Sequence, residues 1–248
     1  MAEVRLPKRI MNSGGWCQGC GHGIAARIIY EVIEEMGLTK NCIAFHDLAC
    51  GSNMLYAQKY HGFSVLNCDA IMAAHGRPIP VANGAKGARP DSIVYAHLGD
   101  GSAYSIGSAE LVHTALRGDN MTVIVVNNTV YGMTGGQMAP TTLPAEKTAS
   151  SPKGKDADRY GVLNVVDLIG KLNATYIARG EIYDVASTAK TKAMIKKAFQ
   201  NQIDNKGFSL VEVLAPCPTN LHMTPVQCKE FVHTEATKFF PLGEFVDK

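Results

Sequence analysis

Two hydrophobic runs that end in ligand-type residues constrain this chain more than any other feature. The first run, Ile93–Leu98, ends at Gly99-Asp100-Gly101-Ser102, and the second, Met121–Val126, ends at Asn127-Asn128. An amphipathic stretch at 106–116 separates them and predicts a helix. Because parallel strands need such a crossover, this order predicts two parallel strands whose carboxyl ends meet at one edge of a sheet.

Oxygen ligands and glycines stand together at those predicted strand ends. Asp100 and the side-chain oxygen of Asn128 suit Mg²⁺, which takes few protein oxygens and leans on phosphate oxygens for the rest. Gly99 and Gly101 let the backbone approach a phosphate closely. The stretch therefore predicts a magnesium–diphosphate site, with an ordinary strand–helix–strand unit as the alternative. No P-loop pattern is present, and the glycines do not match the dinucleotide fingerprint.

Length and charge narrow the class of protein. The 248 residues are 46% hydrophobic, which is enough for one domain over 1–248 with a substantial core. A formal net charge of +2 gives no sign of a nucleic-acid surface, and no run of 18 apolar residues predicts a membrane span. The first residues lack an apolar signal core, so a cytoplasmic protein is expected, without nucleic-acid or membrane partners.

Hydrophobic runs alternate with helical patterns along the whole chain. This order predicts an α/β fold with a mainly parallel sheet and helices on both faces. Residues 1–22 form an N-terminal arm that carries a C-x-x-C pair, and the tail at 220–248 has aromatic residues expected to contact a partner. The predicted strands are 42–45, 63–66, 93–98, 121–126, 175–178 and 208–214, and the predicted helices are 24–36, 80–87, 106–116, 163–172 and 184–201, with a long loop at 132–161.

Cysteines recur in predicted loops of similar character. Cys17 and Cys20 form the C-x-x-C pair, while Cys50 and Cys217 each follow a predicted strand, and Pro218 follows Cys217. Four thiolates suit a [4Fe–4S] cluster or a zinc ion, and a C-x-x-C pair without metal is the third possibility. Of the remaining cysteines, Cys42 and Cys68 are expected to be buried free thiols. Cys228 has no evident role.

With both groups of residues in view, the chain resembles the β subunit of the 2-oxoacid:ferredoxin oxidoreductases. The similarity spans nearly the whole sequence, in the order of that family, and its most specific part is Tyr131-Gly132-Met133-Thr134-Gly135-Gly136-Gln137. The other matching segments are Trp16-Cys17-Gln18-Gly19-Cys20-Gly21-His22, Cys50-Gly51-Ser52, His75-Gly76-Arg77, Gly99-Asp100-Gly101, Asn127-Asn128-Thr129-Val130 and Cys217-Pro218-Thr219-Asn220.

The resemblance implies a thiamine diphosphate (TPP)-binding fold and assigns the site. Asp100, the Asn128 side chain and the Val130 carbonyl would hold Mg²⁺. His75 is a candidate contact of cofactor or substrate, with a structural histidine as the alternative. The residues implied along the cofactor are His22, Gly99, Asp100, Gly101, Ser102, Asn128, Tyr131, Met133 and Thr134. The residues implied to bind a [4Fe–4S] cluster are Cys17, Cys20, Cys50 and Cys217.

The resemblance further implies oxidative decarboxylation of a 2-oxoacid to acyl-CoA and CO₂, with electrons passing through the cluster to ferredoxin. Coenzyme A is the co-substrate, an α subunit supplies the glutamate that activates TPP, and a γ subunit and often a δ subunit complete the enzyme. Two alternatives are a non-redox TPP decarboxylase or carboligase subunit with structural zinc, and a catalytically silent assembly subunit. Asn53 stands where some relatives carry Lys or Arg, which disfavours 2-oxoglutarate and favours a branched-chain or other 2-oxoacid.

Overall fold

A seven-stranded sheet organises the part of the chain that the computed structural model describes, which is residues 15–53, 55 and 68–248. The strands run in the order β2-β1-β3-β4-β8-β7-β9. Their bounds are β1 Cys42–Asp47, β2 Asp69–Ala73, β3 Ile93–Gly99, β4 Thr122–Asn127, β7 Ala174–Glu181, β8 Phe208–Leu214 and β9 Gly243–Asp247. Every pairing in this sheet is parallel except that of β9 with β7. A separate antiparallel pair joins β5 (Val130–Tyr131) to β6 (Gln137–Met138).

Helices connect the strands and cover both faces of the sheet. They are α1 Gly21–Glu35, α2 Pro78–Ala88, α3 Ser108–Arg117, α4 Val165–Ile169, α5 Val185–Ile203, α6 Pro218–Leu221, α7 Pro225–Phe231 and α8 Thr237–Phe239. The turn Cys50–Ser52 is a 3₁₀ helix, and Ser102–Ile106 and Val232–Ala236 are π-helical turns. Within the described ranges, no helix is long and apolar enough to cross a membrane.

Two apolar cores hold the layers together. On one face, residues of α1 and α5 such as Ile29 and Phe199 pack against the sheet. On the other face, residues of α2, α3 and α4 such as Ile79, Leu111 and Ile169 do so. The central strand β4 is buried along its whole length, because both of its faces are covered, and this explains its uninterrupted hydrophobic sequence. The predicted α/β class with a mainly parallel sheet is confirmed.

Several element bounds differ from the expected ones. Helix α1 begins at Gly21, inside the segment assigned to the N-terminal arm, and α4 is shorter than the predicted helix at 163–172. Strand β7 begins one residue before the predicted 175–178 and ends three residues after it. The predicted strand at 63–66 lies outside the described residues. Strand β2 was not predicted, and β9 begins later than the extended stretch expected at 239–245 in the tail.

The C-terminal tail packs on the rest of the described chain. Strand β9 pairs with β7, and Phe240 and Val232 are buried against Leu143 and Leu214. Phe239, Leu242 and Phe245 keep between 38% and 41% of their surface exposed. Contact of this tail with a partner therefore stays a prediction, with these side chains as its exposed part.

Strands β1, β3, β4 and β8 are neighbours in the sheet and run in one direction. Their carboxyl ends carry Asp47, Gly99, Asn127 and Leu214. All the loops predicted to bind ligands therefore leave the same edge of the sheet, which is where α/β proteins of this kind place their ligands.

Candidate active site

A cavity of about 270 Å³ opens at this edge of the sheet. It lies among the loops that follow β1, β3 and β4, the residue His75 after β2, and the start of α1. It is lined by all of the residues predicted to contact the cofactor: His22, Gly99, Asp100, Gly101, Ser102, Asn128, Tyr131, Met133 and Thr134. Val130, His75 and Cys50 also line it, so residues far apart in sequence converge on one volume.

Asp100 is buried at the wall of this cavity. The Gly101 N–H donates a hydrogen bond to Oδ1 at 2.8 Å, and the Thr141 hydroxyl donates to Oδ2. Burial nevertheless raises the pKa of Asp100 to about 7, because these bonds do not replace the lost hydration of the carboxylate. A divalent cation would stabilise the charged form at this position, so the donor set fits Mg²⁺.

The two asparagines after β4 fold the chain into a tight turn. The Thr129 N–H donates to Asn127 Oδ1 at 3.1 Å, and the Val130 N–H lies 3.4 Å from Asn128 Oδ1. Thr129 adopts a φ of 66°, which is uncommon for a residue with a branched side chain. The turn places Asn128 and Val130 on the cavity wall beside Asp100, as the predicted magnesium site requires.

Two glycines allow the cavity loops to approach each other. A Cβ at Gly101 would lie 2.3 Å from Cε1 of Tyr131, so only glycine lets the Tyr131 ring lie over this turn. A Cβ at Gly132 would lie 3.5 Å from Cys50 Sγ, which places the cofactor loop directly against that thiol. The predicted cofactor pocket and the predicted cluster site therefore share a wall.

A buried carboxylate below the cavity braces the two ligand-bearing turns. Glu212 Oε1 on β8 accepts hydrogen bonds from the Tyr104 hydroxyl at 2.9 Å and from Asn127 Nδ2 at 3.0 Å. Tyr104 lies in the π-helical turn that comes just after Asp100 in the chain, and Asn127 directly precedes Asn128. Glu212 thus joins the segment of one predicted magnesium ligand to the segment of another.

Arg179 balances the charge of Glu212 and links it to the tail. Its Nε donates to Glu212 Oε2, Nη2 donates to Asn164 Oδ1 at 2.6 Å, and Nη1 donates to the Pro241 carbonyl at 3.0 Å. The guanidinium lies 5.4 Å and 5.3 Å from the ring centroids of Phe240 and Phe245, within cation–π distance. The C-terminal tail therefore covers the ion pair that supports the site.

His22 lies at the start of α1 and lines the cavity from the side of the C-x-x-C turn. Its ring is buried, and burial lowers its pKa to about 4, so the imidazole is neutral at pH 7. Its Nδ1 has no hydrogen-bond partner within the described part of the chain. This atom is available to a bound group.

His75 lines the cavity together with Asp47, a residue that the sequence reasoning did not single out. Asp47 is the last residue of β1, and its Oδ1 accepts a hydrogen bond from His75 Nδ1 at 3.1 Å. The Asp47 side chain is fully buried, whereas the His75 side chain is 35% exposed. Burial raises the pKa of Asp47, and the nearby His75 opposes this rise.

The four predicted cluster cysteines lie in one region of the structure. Cys17, Cys20 and Cys217 lie close enough to Cys50 to raise its pKa, and Cys17 also raises the pKa values of Cys20 and Cys217. Burial is the larger cause: it raises the pKa of Cys20 to about 11 and that of Cys50 to about 12. Thiols in such surroundings stay protonated unless bound iron or zinc supplies positive charge. In the described ranges, no group of three or more His, Cys, Asp or Glu side chains is arranged so that it could hold a metal ion.

Packing between the loops holds these cysteines in place. The Gly21 N–H donates to the Pro216 carbonyl at 2.9 Å, and a Cβ at Gly21 would lie 2.5 Å from Ala215 Cβ. The C-x-x-C turn thus lies against the segment that carries Cys217. The indole N–H of Trp16 donates to the Cys50 carbonyl at 2.7 Å, which ties the third cysteine to the same turn.

Asn220 connects the cysteine group to the cofactor loop. Its Nδ2 donates to Cys217 Sγ at 3.3 Å and to the Gly132 carbonyl at 2.9 Å. Cys228 also lies close to Cys217, whose backbone forms a hydrogen bond with the buried Cys228 thiol. The sequence offered no role for Cys228, and its nearness to Cys217 arises from the fold of the tail.

Sequence reasoning missed four residues that support the cavity: Asp47, Thr141, Glu212 and Asn220. Asn220 belongs to the matching segment Cys217-Pro218-Thr219-Asn220, but its hydrogen bonds to both Cys217 and Gly132 were not predicted. Asp47 ends a hydrophobic run, as Gly99 and Asn127 do, so its position at a strand end was an available signal. Thr141 and Glu212 reach the site from distant segments, and no spacing in the sequence points to them.

Comparison with known proteins agrees with this geometry. The family model described as thiamine pyrophosphate enzyme, C-terminal TPP binding domain, matches residues 49–213. The chain belongs to this family. Within it, the relatives are subunits of 2-oxoacid oxidoreductases, so the resemblance to their TPP-binding β subunits is confirmed.

Two relatives and one solved structure illustrate this membership. Ketoisovalerate oxidoreductase subunit VorA of Methanothermobacter marburgensis is 39% identical over 94% of this chain, and the match covers 48% of VorA. The 2-oxoglutarate synthase subunit KorB of Methanocaldococcus jannaschii is 36% identical over 88% of this chain and 73% of KorB. A solved 2-oxoglutarate:ferredoxin oxidoreductase from Magnetococcus marinus superposes with a TM-score of 0.77 at 25% identity, covering 99% of this chain and 86% of that one. This chain therefore spans about half the length of VorA and most of the length of KorB.

Proposed function

We propose that this chain is the β subunit of a 2-oxoacid:ferredoxin oxidoreductase, which converts a 2-oxoacid and coenzyme A to acyl-CoA and CO₂. The observation that carries the proposal is the shared wall between two groups of residues. Asp100 and Asn128 line a cavity that Cys50 also lines, and three further thiols lie near Cys50: the buried Cys217, the half-buried Cys20 and the exposed Cys17. A carboxylate–amide pair suits Mg²⁺ and a diphosphate, and four thiols suit an iron–sulfur cluster.

In this proposal, Asp100, the Asn128 side chain and the Val130 carbonyl hold Mg²⁺ against the diphosphate of TPP. Gly99, Gly101 and Ser102 leave room for the phosphates, and Tyr131, Met133, Thr134 and His22 lie along the cofactor. When bound, TPP supplies the electron sink that decarboxylation of a 2-oxoacid requires. The buried cavity wall around Asp100 keeps water away from the cation and strengthens its electrostatic attraction to the diphosphate.

Cys17, Cys20, Cys50 and Cys217 would hold a [4Fe–4S] cluster beside the cofactor and pass electrons one at a time to ferredoxin. A zinc ion at the same thiols has no redox chemistry and would leave a non-redox decarboxylase. The nearness of Cys50 to the cofactor loop favours the redox role, because electrons then travel only a short distance. The solved relative contains coenzyme A, which supports coenzyme A as the acyl acceptor here.

We infer that other subunits complete the enzyme. None of the described residues that line the cavity is a glutamate, although TPP needs a carboxylate at its aminopyrimidine ring. An α subunit supplies this glutamate, and γ and δ subunits and ferredoxin are the further partners. The names of the relatives as subunits support a hetero-oligomer.

The apolar mouth of the cavity supports a branched-chain 2-oxoacid as substrate. Leu48 and Met133 line the cavity and keep 44% and 47% of their surface exposed. Neither Lys nor Arg occurs among the described lining residues, so the described part of the cavity wall offers no Lys or Arg side chain to a second substrate carboxylate. Asn53, next to the Cys50 turn, adds none.

Steady-state kinetics of the complex purified without oxygen test this function. We expect dye reduction that requires a 2-oxoacid, coenzyme A, Mg²⁺ and TPP, and that is fastest with branched-chain 2-oxoacids. Asp100→Ala abolishes turnover, because the cation loses its charged ligand, whereas Asp91→Ala at an exposed turn leaves it unchanged. The isolated chain is inactive until its partners are added. Full turnover by Asp100→Ala, or by the chain alone, would contradict the proposal.

A further inference from the structure

Two cysteines outside the predicted cluster site lie at the beginning of neighbouring strands. Cys42 is the first residue of β1, and Cys68 directly precedes β2, which begins at Asp69. The two strands are parallel, with Ile43 opposite Asp69. The same register, continued by one residue, places Cys42 opposite Cys68. Both lie where the strands begin, whereas the cavity lies where the strands end.

This placement satisfies the geometry of a disulfide bond. Neighbouring strands lie about 4.8 Å apart, and the Cα atoms of two bonded cysteines lie about 4.4–6.8 Å apart. Residues that stand opposite each other in register also point to the same face of a sheet. Cys42 and Cys68 both pack in the apolar core that α1 and α5 form against the sheet, so their side chains do lie on one face.

The surroundings of the two thiols show that they are close to each other. The Cys42 thiol forms a hydrogen bond with the Cys68 side chain. Both thiols also lie near the Tyr30 hydroxyl: burial raises the pKa of Tyr30, and the nearby Cys68 and Cys42 raise it further. The folded chain therefore already holds the two sulfurs within reach of each other, without any movement of the strands.

The two thiols differ in exposure. Cys42 is buried, as the sequence predicted, with 2% of its surface exposed, whereas Cys68 is only half-buried. The hydrogen bond with Cys68 and burial both raise the pKa of Cys42, so this thiol keeps its proton near pH 7. Cys68 is therefore the thiol that a dissolved reagent meets first, and Cys42 lies behind it in the core.

We propose that Cys42 and Cys68 form a site of reversible thiol oxidation, at which a peroxide converts the two thiols to a disulfide between β1 and β2. In the first step, one oxygen of hydrogen peroxide is transferred to Cys68, which becomes a sulfenic acid, and the other oxygen leaves as water. In the second step, the Cys42 sulfur attacks the Cys68 sulfur, and the Cys42 proton leaves with the sulfenic hydroxyl as a second water. The two thiols together lose two electrons, and the peroxide gains them.

The position of the pair favours the disulfide as the product. A disulfide carries no charge, so the apolar core around Cys42 does not oppose it as it opposes a thiolate. The bond also closes the chain between Cys42 and Cys68 into a loop, which restricts the unfolded chain and stabilises the folded one. Since β2 is the outermost strand of the sheet, the bond attaches an edge strand covalently to its neighbour. Oxidation of this pair requires neither TPP nor the cluster, so it is independent of the proposed function.

Peptide mapping under non-reducing conditions tests the pair. The protein is purified without oxygen, together with any subunits that bind it, and is exposed to an equimolar amount of hydrogen peroxide before the remaining thiols are alkylated. We expect mass spectrometry to find Cys42 and Cys68 joined, with the loss of two hydrogen atoms, in most wild-type chains. An excess of dithiothreitol should return both thiols. Cys228→Ser, which removes another buried thiol, is the matched control and should form the same disulfide.

Single variants separate the roles of the two thiols. In Cys42→Ala, Cys68 should stop at the sulfenic acid, which dimedone labels. In wild type this labelling should be at least about tenfold lower, because a thiol already held in place outcompetes a dissolved trap. In Cys68→Ser, Cys42 should remain a thiol, and this variant decides if Cys42→Ala does not fold, since the Cys68 side chain is only half-buried.

Three results would overturn the proposal. The first is that both thiols remain free in wild type after peroxide treatment. The second is that Cys68 is recovered as a sulfinic acid or bonded to a different cysteine, which would show that Cys42 does not reach it. The third is oxidation of Cys42 in Cys68→Ser, which would show that Cys68 is not the thiol that reacts first.

Discussion

At the scale of single residues, burial sets the chemistry of the carboxyl groups around the cavity. Asp47, Asp100 and Glu146 all have raised pKa values, and in each case burial is the largest cause. Glu146 accepts hydrogen bonds from the Thr129 hydroxyl at 2.7 Å and from the Leu143 N–H at 2.8 Å. When these buried carboxyl groups are ionised, they lower the stability of the folded region. A bound cation would offset their negative charge.

The pH dependence of stability tests this for Glu146. Its pKa rises from 4.5 to about 7 on folding, so the folded state binds more protons than the unfolded state between these values. Its contribution to stability is therefore lost as pH rises through that range. At pH 8 we expect Glu146→Gln to unfold at a higher temperature than wild type, with a free energy of unfolding larger by up to about 3 kcal/mol. Near pH 5 its stability should match that of wild type.

A glutamine can keep both contacts of Glu146, since its carbonyl accepts from the Leu143 N–H and its amide donates to the Thr129 hydroxyl. Thermal denaturation of the metal-free protein at the two pH values is the measurement. Glu235→Gln is the control of opposite sign, because Lys238 lowers the pKa of the exposed Glu235. A Glu146→Gln stabilisation that is equal at pH 5 and pH 8 would show that ionisation is not its cause.

At the scale of elements, strand β8 supports turns that belong to β3 and β4. Glu212 accepts hydrogen bonds from Tyr104 and from Asn127, which adjoin the segments of Asp100 and Asn128. Arg179 on β7 neutralises it, and both side chains are almost fully buried. The predicted magnesium ligands are therefore held in place through a strand that contributes no ligand.

This support predicts that Glu212→Gln weakens binding of Mg²⁺ and TPP by roughly tenfold, and destabilises the protein by about 3 kcal/mol, because Arg179 is left buried without its counter-charge. Tyr104→Phe removes one of the two braces and keeps the ion pair, so we expect a smaller loss of affinity and little loss of stability. Calorimetry with TPP and thermal denaturation report the two effects. Unchanged TPP affinity in a destabilised Glu212→Gln would assign Glu212 to stability alone.

Elements whose hydrophobic pattern is continuous could be predicted from sequence. Strand β8 at Phe208–Leu214 has its predicted bounds, and the turns after β3 and β4 line the cavity as expected. Strand β2 was missed because it lies at the edge of the sheet and its Ile71 and Met72 stay half exposed. Contacts such as that of Thr141 with Asp100 join residues 41 positions apart, and local spacing carries no information about them.

At the scale of the whole molecule, the tail closes the cysteine group from outside. A Cβ at Gly19 would lie 2.5 Å from Pro225 Cβ, so α7 packs directly on the C-x-x-C turn. Asn220, at the start of the tail, contacts Cys217 and the Gly132 carbonyl. The two predicted cofactors are thus separated by little more than the segment around Cys50 and Gly132.

This arrangement predicts that the cluster and the cofactor pocket can be disrupted separately. In the complex purified without oxygen, wild type should show the broad visible absorbance of an iron–sulfur cluster, and Cys50→Ser should lose most of it along with its iron and sulfide. TPP affinity should fall by no more than about threefold, because the predicted magnesium ligands lie on other loops. Cys42→Ser, in a buried strand position outside the group of four thiols, should keep the full absorbance. A colourless wild-type complex with one zinc per chain would instead favour the non-redox decarboxylase, since zinc cannot accept the electrons that leave the substrate.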